Sequence, residues 1–328
     1  MNKILCFYEY PIVKKKFSQL FDKKEITFLE GDVQDYKKDK KFEKVEILTV
    51  FISSILNKKN IDKFPNLKLI LTRSTGMDHI DLAYAKKKGI KVQNIANYGD
   101  VSVAEYTFGL LFEISKKITL ANLEVKKTKN FSARGIHKIE TFNLAGKKIG
   151  VIGTGLIGKK FIKIAKAFGM EVLAFDKYKD EKFSKKEKIE YVGLDKLLKE
   201  SDIISLHLPL LKSTKYFLSK KEFKKMKDGV IILNTARGDL IKTEDFLESL
   251  KSKKVSAAGL DVLEGEACLG RENYLSICQI KIKNLNKKII EMKNVIVTPH
   301  NSFNSKEASQ RRMDMSVEKI KEFLKLKK

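Results

Sequence analysis

The sequence predicts an α/β protein of two doubly wound (Rossmann-like) parallel-sheet domains, on three observations. Short apolar runs alternate with amphipathic stretches throughout, the signature of repeated βαβ units. Some of these runs, such as Leu69–Thr72 and Val230–Asn234, are nearly continuous Val/Ile/Leu, as strands covered on both faces require. At 328 residues the chain is also long enough for two cores, since single cores stop growing near about 250–300 residues.

In chain order, Lys3–Tyr8, Ile47–Phe51 and Leu69–Thr72 are the first strand candidates. Lys148–Ile152, Glu171–Phe175, Ile203–Leu206, Val230–Asn234, Val255–Leu260 and Val295–Thr298 follow. Between them, Gly158–Phe168 places Phe161, Ile162, Ala165 and Phe168 at helical spacing. Ser102 and Glu105 have the spacing of a capping box, and the mostly apolar run from Ser102 to Ile118 predicts one long buried helix. That marks a boundary near Asn97–Ser102. A second falls at Thr298-Pro299-His300-Asn301, where a strand ends at a proline. The predicted division is an outer, discontinuous domain of residues 1–100 and 300–328, and an inner domain of residues 101–299. Both crossings would lie together, with the active site in the cleft between the domains.

Composition excludes more than it assigns. The net charge is +26, but only six of the 67 basic residues are arginine, and the lysines spread along the whole chain. Nucleic-acid readers concentrate arginine and interleave aromatics on one element, so a solvated lysine surface without a specific nucleic-acid partner is the expectation. No apolar run approaches the roughly 18 residues of a membrane span, and the N-terminal apolar stretch is too short for a signal peptide. Cys6, Cys268 and Cys278 are odd in number and form no CxxC pair. This predicts a reducing, cytoplasmic setting, no disulfide framework and no metal site.

The most informative stretch is Lys148–Gly158, an apolar strand running into Gly153-Thr154-Gly155-Leu156-Ile157-Gly158 and then a helix. Gly153 supplies a tight turn, Gly155 lets backbone N–H groups approach a pyrophosphate, and Gly158 permits close helix–strand packing. Asp176 closes the next strand, 18 residues after Gly158, where an acid binds the adenosine ribose. A carboxylate there repels a 2′-phosphate and favours NAD over NADP, although Lys177 and Lys179 soften that preference.

Three later segments place polar residues just after strands: Asn234-Thr235-Ala236-Arg237-Gly238, Asp261–Glu266 and Thr298–Phe303. In open α/β sheets ligands bind at such ends. Together with Ser74–Asp81, Tyr98–Glu105 and Ser205–Pro209, in this order, they make the chain resemble the D-isomer-specific 2-hydroxyacid dehydrogenase family, in its D-lactate dehydrogenase-like branch, nearly end to end. The resemblance implies hydride transfer between NAD(H) and C2 of a small 2-keto or 2-hydroxy acid, with D specificity. It implies that Arg237 holds the substrate carboxylate, that His300 is the general acid or base, and that Glu266 pairs with His300 and fixes its tautomer. Backbone groups around Thr75 and Gly76 would form a second carboxylate clamp. Asp261 would meet the nicotinamide carboxamide, Thr235 and Ala236 would line the cofactor, and His207 and Pro209 would edge the adenosine site. Tyr98 and Phe303 match substrate-contacting positions, suited to a small, partly apolar acid such as pyruvate. A homodimer with the Ser102–Ile118 helix near its interface follows by the same analogy.

Some residues depart from the family pattern. Leu156 stands where a basic residue is frequent, Tyr106 where a histidine is, and the lysine-rich segment Cys268–Met292 matches no motif. His79 and His137 match no catalytic position and are read as structural. Glu266, where formate dehydrogenases have glutamine, argues against that chemistry. Two alternatives stay open: an NAD-responsive, non-enzymatic binding protein of the corepressor kind, and a phosphoglycerate- or glyoxylate-class dehydrogenase.

Overall fold

A computed structural model describes residues 2–8, 10–131, 139–266 and 277–325. His137 and Cys268, singled out in the sequence, lie outside the described residues, as does part of the lysine-rich segment. The chain divides into two compact units, Met1–Gly99 with Asn304–Lys328, and Asp100–Phe303. Residues 300–303 thus fall in the second unit.

The first unit is a five-stranded parallel sheet, β1 (Ile4–Tyr8), β2 (Ile26–Glu30), β3 (Ile47–Val50), β4 (Leu69–Thr72) and β5 (Lys91–Asn94), in the order β2-β1-β3-β4-β5. Its helices are α1 (Pro11–Leu20), α2 (Lys58–Ile61), α3 (Leu82–Lys87) and α12 (Lys306–Lys325). The inner strands β3 and β4 are buried at every position. The long C-terminal α12 buries Ala308, Arg312, Met313, Val317 and Ile320 at helical spacing and packs on α1.

The second unit is a seven-stranded parallel sheet: β6 (Lys148–Ile152), β7 (Glu171–Phe175), β8 (Glu190–Tyr191), β9 (Ile203–Leu206), β10 (Val230–Asn234), β11 (Val255–Leu260) and β12 (Val295–Val297). The order is β12-β11-β10-β9-β6-β7-β8, the strand order of a doubly wound dinucleotide-binding sheet. The direction of winding reverses between β6 and β9. Alternate strand residues feed separate cores, Ile152, Ile204 and Ile232 on one face and Val151, Ile203 and Ile231 on the other. A parallel strand must satisfy both faces, which explains the continuous apolar runs. The helices are α4 (Asp100–Lys116), α5 (Ile118–Thr128), α6 (Leu156–Ala167), α7 (Glu181–Glu187), α8 (Leu194–Glu200), α9 (Lys220–Lys225), α10 (Thr243–Lys251) and α11 (Ile277–Ile290).

Two sequence expectations are corrected here. Ser102 is not a helix cap: α4 begins at Asp100, and the buried Ser102 hydroxyl donates 2.7 Å to the Ser302 carbonyl. The long helix also breaks at Lys117, whose φ of 51° is left-handed and ends a helical run. Beyond it α5 starts at Ile118.

Candidate active site

β6 delivers the chain to Gly153, whose φ of 96° is a conformation that residues with a Cβ rarely adopt. A Cβ there would stand 2.6 Å from the His207 carbonyl oxygen, and one on Gly158 would stand 2.1 Å from the Gly153 carbonyl oxygen. Those two glycines let the β6 turn, the end of β9 and the start of α6 close on one another. Gly155, the residue capping α6, is different: a Cβ built on it meets no protein atom within 4 Å. Open space therefore lies beside the residue that caps a 12-residue helix, and helix N-termini are where phosphates bind. Leu156 opens that helix and is half exposed, and Ile157 follows it in the first turn.

Asp176 stands one residue past β7. Its Oδ2 accepts from the Thr154 amide (2.6 Å) and hydroxyl (3.1 Å), and its Oδ1 from the Tyr178 amide (2.9 Å). Because the Thr154 hydroxyl donates to Asp176, the Tyr191 hydroxyl 2.8 Å away is the donor in their contact. The acid is thus locked to the glycine turn that a dinucleotide would occupy. Lys177 and Lys179 beside it are exposed. The open face at Gly155, the helix end and the acid on the neighbouring strand all fit a dinucleotide at the point where the sheet reverses direction.

His207 stands one residue past β9, hydrogen-bonded through Nε2 to the Ser205 hydroxyl at 2.9 Å and packed on the Phe161 ring. Burial pushes its imidazole down to about 3. Pro209 is exposed beyond it. The Thr235 side chain is buried against α4: its hydroxyl lies 2.7 Å from Thr107, whose own proton goes to the Val103 carbonyl, so Thr235 donates. Ala236 is held through its amide on the Asn234 side chain and packs against one face of the core.

The next three residues of interest come from three strand ends. Arg237 follows β10; its Nη1 donates to the Ala236 carbonyl at 2.6 Å, and its own carbonyl accepts from Asn234. Glu266 follows β11 in a short turn, where its Oε2 accepts from the Leu263 amide at 3.1 Å. His300 follows β12, and its Nδ1 lies 2.5 Å from Glu266 Oε1. The structure therefore brings Glu266 and His300 into direct contact. Asp261 supports them from below: Oδ1 accepts from the Thr298 hydroxyl (2.5 Å) and the Asn301 amide (2.8 Å), Oδ2 from the Ser302 amide (2.8 Å), and its carbonyl from the His300 amide (2.9 Å). This buried carboxylate shapes the loop that presents His300. Phe303 stands edge-on to His300 with ring centroids 6.0 Å apart.

Thr75, Gly76 and Tyr98 belong to the first unit. The Thr75 hydroxyl donates to the Ile95 carbonyl and its own carbonyl accepts from Asn94. The Gly76 carbonyl accepts from Ser74 at 2.7 Å. Tyr98 is buried, its carbonyl held by Arg311 and its ring 5.8 Å from the Arg312 guanidinium, which also lies 4.4 Å above Phe51. The Arg311–Arg312 pair on α12 had no signal in the sequence, since a helix face declares itself by apolar period alone. Glu264, two residues before Glu266, was equally silent, and in the fold its carboxylate accepts from the Tyr216 hydroxyl at 2.5 Å. Among the described residues no cluster of His, Cys, Asp and Glu suits a metal ion, and no helix is long and apolar enough to cross a membrane.

Comparison with known proteins agrees with this geometry. The family model described as D-isomer specific 2-hydroxyacid dehydrogenase, NAD binding domain, matches residues 108–302. A hydroxypyruvate reductase of Thermotoga maritima is 37% identical over 94% of this chain and 95% of its own. The D-lactate dehydrogenase of Escherichia coli is 36% identical over 74% of this chain and 71% of its own. A solved D-lactate dehydrogenase from Aquifex aeolicus, complexed with NAD and lactic acid, superposes with a TM-score of 0.87 at 35% identity, covering 98% of this chain and 95% of that one.

Proposed function

The chain belongs to the D-isomer-specific 2-hydroxyacid dehydrogenase family, an NAD-dependent enzyme of 2-hydroxy acids, and from that premise we propose that it reduces a small 2-keto acid to the D-2-hydroxy acid with His300 as general acid. The observation that carries this is the 2.5 Å contact between Glu266 and His300 Nδ1. A carboxylate is an acceptor only, so Nδ1 carries the proton and Nε2 is the nitrogen left for a substrate. In the imidazolium Nε2 donates to a keto oxygen; in the neutral ring it accepts the proton of a hydroxyl. Bound NADH supplies the hydride to C2. Arg237 offers the planar fork that suits a carboxylate, and Phe303 sets an apolar edge beside His300.

Between substrates, similarity to D-lactate dehydrogenases supports pyruvate and similarity to hydroxypyruvate reductases supports hydroxypyruvate. NADH oxidation with pyruvate, 2-ketobutyrate, 2-ketoisocaproate, phenylpyruvate, hydroxypyruvate and glyoxylate ranks them. His300→Ala and Arg237→Ala should each lower kcat/KM by about a hundredfold or more, the usual worth of a positioned acid. No turnover by wild type on any acid, with NADH still bound, would overturn the assignment in favour of a binding protein.

A homodimer is part of this reading, with α5, which continues the predicted helix, as the proposed face. α4 buries nine residues, whereas α5 buries none and exposes Ile118, Leu120, Leu123 and Val125. An 11-residue helix is marginal without packing, and a second copy of the chain is the partner that covers it. The odd cysteine count supports a cytoplasmic setting.

A further inference from the structure

We infer that Glu264, held by Tyr216, is a positioning residue that fixes the Glu266 carboxylate on His300; this rests on the general-acid reading of His300. Glu264 is 6% exposed and touches neither of the two residues it serves through its side chain. Its Oε1 accepts from the Tyr216 hydroxyl at 2.5 Å, and its Oε2 from the Thr243 amide at 3.2 Å, the first residue of α10. Its carbonyl accepts from Asn286 of α11 at 2.8 Å. Three separate segments thus converge on one residue of the turn that carries Glu266. Arg237 joins the same unit from the other side: a Cβ on Gly238 would stand 2.0 Å from the Leu263 carbonyl carbon, so the Arg237 loop lies directly on the Leu263–Glu264 backbone.

The arrangement is costly, which points to a purpose beyond packing. A buried carboxylate contributes little net stability even when well hydrogen-bonded. Here it acts on a further acid, Asp239: burial and then repulsion from Glu264 push the Asp239 carboxyl up, Glu266 adding to the repulsion and Lys215 opposing. Lys242, Glu244 and Asp245 line the start of α10, and Lys281 of α11 pairs with Glu244. Tyr216 adds strain, since a tyrosine at φ 54° sits where bulky residues are seldom found. Its amide is held by the Asp239 carbonyl at 2.8 Å, aiming the phenol at Glu264. Such strain gathers at functional sites.

Two variants test this, Tyr216→Phe and Glu264→Gln. Each should lower kcat for keto-acid reduction by about ten- to a hundredfold, the cost of misplacing a reacting group by an ångström, with NADH affinity within twofold of wild type. The high-pH limb of the reduction profile should move to lower pH, because a loosened Glu266 holds the imidazolium less firmly. A low-field proton signal from His300 Nδ1, expected of so short a hydrogen bond, should weaken or vanish in both variants. That signal needs no substrate, so it reports on the positioning even if wild type reduces none of the acids tried. Rates, pH profile and signal all unchanged would overturn the inference. So would a rate loss matched by an equal loss of NADH affinity, which marks a merely structural residue.

Discussion

Two glycines of one turn separate folding from binding. Gly153→Ala forces a side chain onto φ 96° and against the His207 carbonyl, so about 1–3 kcal/mol of stability should go to the backbone conformation alone, with the clash in addition. Gly155→Ala meets no protein atom within 4 Å and should cost no more than about 1 kcal/mol as a helix cap. It should nevertheless weaken NADH binding about tenfold, or about 1.4 kcal/mol, because its Cβ would enter the proposed pyrophosphate site. Thermal denaturation beside fluorescence titration of NADH separates the two; equal affinity for wild type and Gly155→Ala would remove the cofactor from this turn. His207 gives a prediction in pH. Its folded-state value is depressed to about 3 from an unfolded value near ~6.5, so the fold favours the neutral ring. The stability tied to it is complete above pH ~6.5 and drains as pH falls toward 3, where the unfolded state binds the extra proton. Urea unfolding across that window should show a pH slope steeper by up to about one proton in wild type than in His207→Gln. Parallel slopes would mean that another group titrates.

Elements explain where sequence reading was complete and where it was not. The strands absent from the sequence reading, β2, β5 and β8, are all sheet edges in the fold and largely half-buried or exposed. An edge strand needs no continuous apolar run and is safer without one. The inner strands carried such runs and were legible. The Ser102–Glu105 spacing misled because a buried serine has other acceptors, here the Ser302 carbonyl. Lys117 and its left-handed turn were invisible, since lysine is not a residue that advertises such a conformation. That turn sets the apolar residues of α5 outward, and the prediction at this scale concerns them. Leu123→Asp with Ile118→Asp should convert a dimer to monomer in sedimentation velocity while thermal stability at matched low concentration stays close to wild type. A wild-type chain that sediments as a monomer at high concentration would dismiss the α5 face.

At the scale of the whole molecule, the basic side chains behind the +26 charge lie at least partly at the surface among the described residues, save Lys63, Arg73 and Arg312: lysines pair with neighbouring acids at exposed positions, as Lys196 does with Glu190 and Lys220 with Glu248, and pairs of that kind contribute little individually. The two parallel sheets were determined by the sequence itself, because strands buried on both faces must be apolar throughout and helices between them must repeat every third or fourth residue. The glycine turn before α6 was determined there too, since its backbone conformation admits few residue types, and the motifs around Asp176, Arg237, Glu266 and His300 were legible there as candidates. Only the tertiary structure decided what those polar groups do. Asp261 spends both oxygens on the His300 loop, Thr235 turns its hydroxyl to α4, and Glu264 and Tyr216, 48 residues apart, meet at 2.5 Å. A hydrogen bond depends on distance and direction between segments far apart in the chain, and no local pattern of residues encodes that meeting.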